Sequence, residues 1–166
     1  MKKTLALLLA ASSLAVAAPA AAQLPVSAEL RLDAGIPTGD AADVVDTGVG
    51  FGVRAALDVA PTFAIYGGYS QFSFDFDDDG LLGGGGEIEL EGFELGGRVG
   101  LGTGGGVANP YVMLGALFHE DETGLEAGLG ADYAVSYNLS VTPEVRYRTI
   151  DDFNYISLGL GARFRF

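Results

Sequence analysis

Tyr155 to Phe166 read Y-I-S-L-G-L-G-A-R-F-R-F. Successive side chains of an extended strand point to opposite faces, so Ile156, Leu158, Leu160, Ala162, Phe164 and Phe166 share one face. Tyr155, Ser157, Gly159, Gly161, Arg163 and Arg165 share the other. The alternation runs through the whole stretch without a slip. A strand that is greasy on one side, glycine and arginine on the other, and ends on an aromatic residue suits a barrel whose exterior meets hydrocarbon.

The same pattern recurs upstream. Val26, Ala28, Leu30, Leu32, Ala34 and Ile36 alternate with Ser27, Glu29, Arg31, Asp33 and Gly35. Val49 to Val59 set apolar odd positions against Gly50, Gly52, Arg54, Ala56 and Asp58. A third, aromatic run from Phe63 to Phe74 places Phe63, Ile65 and Tyr69 together. A fourth emerges through Ile88 and Leu90, and its apolar parity changes to Phe93, Leu95 and Val99, which predicts a β-bulge at Gly92. Runs over 110–118, 125–135 and 139–148 and the final stretch bring the total to eight. The connections 37–47, 75–86, 119–124 and 150–153 read as long loops at one end, with tight turns at the other. The expected fold is all-β: an eight-stranded antiparallel up-and-down transmembrane β-barrel over 23–166, preceded by a cleaved signal peptide over 1–22.

That signal rests on Lys2 and Lys3, the apolar run Leu5 to Ala18, and Ala20-Ala21-Ala22 before Gln23. The run is shorter than the roughly 20 residues a spanning helix needs, and no other segment reaches that length without charge, so a membrane location requires strands. A formal net charge of -13, from 22 acidic and 9 basic side chains, argues against a nucleic-acid partner. With no cysteine, disulfide frameworks and thiolate metal sites are excluded.

Charge placement separates inside from outside. The polar strand faces carry seven acids (Glu29, Asp33, Asp58, Glu94, Glu126, Asp132, Glu144) and seven arginines (Arg31, Arg54, Arg98, Arg146, Arg148, Arg163, Arg165). The other 15 of the 22 acids lie in the long loops or adjoining strand tips, and the only lysines are in the signal. A soluble barrel would turn its charges outward. Equal numbers of guanidinium and carboxylate groups converging on a narrow lumen make sense as a paired network, because an unpaired buried charge costs several kcal/mol. The charge-free faces then go to lipid, and closure leaves no strand edge unpaired there.

The A-x-A signal, the repeated alternation, Tyr66-Gly67-Gly68-Tyr69, Pro110-Tyr111 and the terminal Phe166 together resemble the small eight-stranded outer-membrane barrels of the OmpA and OmpX type over residues 23–166. The resemblance implies residence in the bacterial outer membrane as a monomer, contact with its lipid and lipopolysaccharide, and recognition by the barrel-assembly machinery through the C-terminal strand, with Phe166 as the assembly signal. The periplasmic peptidoglycan-binding domain that OmpA carries is not expected.

Candidate chemistry is sparse. His119 is the only histidine; resemblance to the lipid A deacylases would require His-x-Ser, and here the chain reads His119-Glu120-Asp121. Asp75, Asp77 and Asp79 with Gly80 match the opening of a calcium loop, but position 12 is Gly86, so weak cation binding is the most that motif supports. The loop acids could attract divalent cations that bridge to anionic lipopolysaccharide, or simply repel other anions. No catalytic residue and no cofactor is expected. The expected function is a structural outer-membrane barrel with acidic loops for surface interaction. The alternatives are a narrow ion channel through the charged lumen and a lipid-modifying enzyme.

Overall fold

A computed structural model of the chain describes residues 25–75, 86–102, 107–119 and 122–166. The expected signal peptide lies outside the described residues, as do Asp77, Asp79, Glu120 and Asp121. Eight strands follow one another: β1 (Val26–Thr38), β2 (Gly48–Ala60), β3 (Phe63–Asp75), β4 (Glu87–Gly100), β5 (Ala108–His119), β6 (Glu122–Ala134), β7 (Leu139–Ile150) and β8 (Phe153–Arg165). Each pairs antiparallel with its sequence neighbours, and β8 returns to β1, closing the barrel. Arg163 stands opposite Glu29 and Gly159 opposite Asp33 across that closing seam. The two ends of the chain meet there, where the Phe166 N–H donates to the Val26 carbonyl at 3.1 Å.

Period two decides which side chains go where. Leu32 and Val49 are each 69 % exposed, and Leu30, Leu114, Leu125, Leu129, Leu158 and Leu160 also stand on the outside. So much apolar area on a closed surface is stable only against lipid, because a soluble protein would bury it. Inside lie Glu29, Arg31, Asp33, Arg54, Glu94, Glu126, Glu144, Arg146, Arg148 and Arg163, all buried. The molecule is an inside-out globule: charged core, greasy skin.

Strands of 12–14 residues are longer than lipid requires. At roughly 3.3 Å per residue and a tilt of about 40°, 13 residues rise roughly 33 Å against an apolar band of about 25 Å. The excess shows on β3 and β4. At the end away from the chain termini, Gln71, Ser73, Glu87, Glu89 and Glu91 point outward, while Phe72, Phe74, Ile88 and Leu90 point inward. The Tyr69 hydroxyl donates to Glu91 at 2.9 Å, and Gln71 and Ser73 donate to Glu89 and Glu87.

This inversion corrects the expected bulge. The β3–β4 register runs unbroken from Phe63 opposite Val99 to Asp75 opposite Glu87, and Gly92 pairs with Ser70 in step. Apolar parity changes at Gly92 because the surroundings exchange: above the lipid the outside is water and the inside is dry. The one irregularity in the ladders around β3 falls between Asp58 and Ala60 at its tight turn with β2.

The loop asymmetry also needs correction. Residues 39–47, which include a 3-10 turn (Gly39–Asp43), and 76–86 are long, but β5–β6 and β7–β8 are joined by two residues each, 120–121 and 151–152. The strand pairs extend past the lipid and use up the expected loops. Asp151 takes a left-handed φ of 49°, a conformation that tight hairpins need and aspartate tolerates. At the end with the termini, β4 and β5 are joined by seven residues, 101–107.

Candidate functional site

The lumen is filled in three layers. In the middle layer Glu94 of β4 is the hub. Its carboxylate accepts from Arg31 of β1 at 3.1 Å, Arg54 of β2 at 2.9 Å and Arg148 of β7 at 2.7 Å, so one anion ties together strands from around the barrel. Glu144 accepts from Arg54 at 2.8 Å and from the Tyr111 hydroxyl at 2.6 Å. Glu126 accepts from the Tyr66 hydroxyl at 2.7 Å and from Arg148 Nε at 3.1 Å. Asp33 accepts from Arg31 Nε at 2.8 Å, from Ser157 at 3.0 Å and from Arg146. Glu29 holds Arg163 through Nε at 2.9 Å and Nη2 at 2.5 Å.

These pairs are dry. The side chains of Asp33, Glu94, Glu126, Glu144, Arg146 and Arg148 are wholly inaccessible to solvent. A buried ion pair returns its desolvation cost only if the remaining lone pairs and N–H groups are also satisfied. Here rings help: the Arg54 guanidinium lies 4.6 Å from the Tyr66 centroid, and Arg148 lies 5.2 Å from that of Phe72. Glycine makes the space. A side chain at Gly96 or Gly115 would strike the Tyr66 hydroxyl that reaches Glu126.

The outer layer, away from the termini, is an aromatic plug. Phe72, Phe74, Leu117, Ile150 and Tyr155 are each at most 1 % exposed, and Val45 folds in from the β1–β2 loop to join them. Tyr155 packs edge-on against Phe72 and Phe74, with centroids 5.2 and 5.3 Å apart, and Phe153 meets Phe74 at 5.2 Å. Ile88, Leu90 and Phe153 seal the margin. The Tyr155 hydroxyl accepts from Arg148 at 3.4 Å, so plug and network meet without a gap. The sequence reading missed this plug; its signal was the parity change at Ile88 and Leu90.

The third layer lies at the end with the termini. Asp132 is buried and accepts from Arg163 and from Arg165 Nη2 at 3.3 Å, and Arg98 approaches it to 3.7 Å. Asp58 and Arg165, expected inside the lumen, stand at its rim, with side chains 39 % and 44 % exposed. Their strands end there, so each inward-facing residue opens onto water.

The remaining candidates stay apart. His119 ends β5, opposite Gly92 and Glu122, and its Nδ1 has no hydrogen-bond partner among the described residues. Asp75 ends β3, exposed, with its carbonyl accepting from the Asp46 N–H at 2.9 Å. Among the described residues no three ligating side chains converge as a metal site would require.

A closed eight-stranded sheet with an ionic lumen and a greasy exterior is a lipid-spanning barrel of outer-membrane type. The model of the outer membrane protein beta-barrel domain matches residues 6–166, and the chain belongs to that family. Its place is the bacterial outer membrane. No curated protein matches by sequence. The fold is similar to Ail, the attachment invasion locus protein of Yersinia pestis (17 % identity over 86 % of this chain and 99 % of that one, TM-score 0.61). Neisserial surface protein A is similar at 12 % identity over 85 % and 97 % (TM-score 0.60), and the N-terminal barrel of Pseudomonas aeruginosa OprF at 15 % over 87 % and 100 % (TM-score 0.57).

Proposed function

We propose that the chain is a monomeric, non-conducting structural barrel that presents an acidic outer end for surface interaction, and that it is neither a channel nor an enzyme. The observation that carries the first part is the doubly sealed lumen: a dry ion-pair network capped by a dry aromatic plug. An eight-stranded barrel leaves just enough room inside for side chains, and here side chains take it. In planar bilayers the refolded protein is expected to give no steady conductance steps; reproducible single-channel steps would overturn this reading in favour of the channel.

The outer end supports the second part. Asp40, Asp43, Asp46, Asp75, Glu87, Glu89, Glu91, Glu122, Asp151 and Asp152 all sit there or on the strand tips beside it, and the sequence adds five more acids in the same connections. Ail has been solved with the heparin analogue sucrose octasulfate. An acidic rim disfavours such a polyanion, so the partner that suits this chain is cationic or is reached through divalent ions that also bind lipopolysaccharide.

Phe166 belongs to the same proposal as the assembly signal read by the barrel-assembly machinery. It packs on Phe164 with centroids 5.2 Å apart on the lipid-facing side of the closing seam. Deleting Phe166 is expected to lower the amount of heat-modifiable barrel in the outer membrane while leaving export intact; normal assembly of the deletion would remove the role.

A further inference from the structure

Arg98 and Arg165 stand outside the central network. With Asp58, Asp132, Asn109 and Tyr111 they line a cavity of about 350 Å³ that opens at the end carrying both termini. Arg98 is 8 % exposed, yet among the described lumenal arginines it stands farthest from any carboxylate. Its closest carboxylate oxygens lie 3.5 Å away on Asp58 and 3.7 Å away on Asp132, and its Nη1 has no hydrogen-bond partner among the described residues. The other six each have a carboxylate oxygen within 3.3 Å. A buried guanidinium with unmade bonds costs free energy that a bound acceptor would return. Arg98 is also held in place, with its guanidinium carbon 5.3 Å from the Tyr111 ring centroid.

The ligand's chemistry follows from the balance. Two arginines face two aspartates, so the cavity has no net charge with which to hold a multivalent anion. It does have two poles. Asp132 is already engaged by Arg163 and Arg165, whereas among the described residues the Asp58 carboxylate has only the long contact to Arg98. We propose that this vestibule binds a small zwitterion of the α-amino-acid or short-peptide class, with its carboxylate on Arg98 and Arg165 and its ammonium group on Asp58. Ligand pockets span roughly 300–1,000 Å³, so the volume suits the smallest members of that class. The end with the termini carries connections of two, seven and four residues, whereas the far end carries the two longest, of nine and eleven. In outer-membrane barrels the longer loops face outward, so the vestibule opens to the periplasm, from which such solutes have access.

The test is a titration of the full chain, refolded in detergent micelles, followed by backbone amide shifts. L-alanine and glycylglycine are the probes, and acetate and methylammonium each carry only one of the two charges. At least one zwitterion is expected to shift the amides of Arg98, Asn109 and Asp132 saturably, with L-alanine alone indicating a free amino acid and glycylglycine alone a peptide. Acetate and methylammonium should bind about tenfold more weakly or worse, the loss expected when one charge-assisted bond is removed. Arg98→Gln should weaken zwitterion binding by a similar factor. If that variant loses heat-modifiable migration, Arg165→Gln and Asp58→Asn, both at the open rim, carry the test. Absence of a saturable shift, acetate binding as tightly as the zwitterions, or unchanged affinity in both rim variants would overturn the proposal.

Discussion

Replacing Glu94 with alanine is expected to destabilise the barrel by about 3–5 kcal/mol, the cost of removing one partner from a buried ion pair. Glu94 accepts from Arg31, Arg54 and Arg148 together, so its loss leaves three guanidinium groups short of an anion in the dry middle layer. Nothing nearby can relax to replace it: Glu126 and Glu144 are already engaged by Tyr66 and Tyr111, and no water reaches the side chain. Asp58→Asn is the matched control. Its partner is 3.5 Å away and its side chain is 39 % exposed, so the change should cost no more than about 1 kcal/mol. Urea unfolding of both variants in lipid vesicles, scored by heat-modifiable migration, makes the comparison. Equal losses at the two sites would show that the network fills space without holding the barrel together.

Phe74→Ala is expected to cost a similar amount, about 3–5 kcal/mol, as for other buried phenylalanines. Its ring is wholly buried and lies within 6.0 Å, centroid to centroid, of Phe72, Phe153 and Tyr155. Gly35 and Gly48 on β1 and β2 have no side chain because the Phe74 ring occupies that space, so the strands cannot easily close over the hole. Phe74→Leu keeps most of the volume and should cost less than half as much as the alanine change. Thermal unfolding followed by loss of β-structure in circular dichroism reads both. A Phe74→Ala loss below about 1 kcal/mol would show that the plug is loosely packed, because a well-packed ring cannot be truncated so cheaply.

The barrel was legible because its alternation is nearly continuous. In β8 and β7 every inward position but Ile150 is small, hydroxylic, aromatic or charged, and every outward position is apolar except Thr149 and Asn154 at the strand tips. One partner of Arg163 was legible too, since closure of first strand on last puts Glu29 opposite it; its second, Asp132 of β6, was not, and Asp33 goes to Arg31 and Arg146 instead. Distance across the lumen was not. That Arg54 would reach Glu144, 90 residues away, depends on the stagger of the whole barrel, which no local pattern encodes. The plug was misread for a different reason. Period-two reasoning assigns apolar residues to lipid, and at Ile88 and Leu90 the medium outside had already changed from lipid to water.

The sequence separations in the middle layer bear on how the barrel is made. Arg163 is bound to Glu29 across 134 residues, and Glu94 takes partners 63, 40 and 54 residues away. A sheet lacking any one of β1, β2, β4, β7 or β8 would therefore present naked charge to hydrocarbon, where each ion costs several kcal/mol. Partly zipped sheets are thus poor resting states within the bilayer. Insertion and closure become a single cooperative event, with the salt bridges acting as a check that the last strand has arrived before the barrel is left in the membrane.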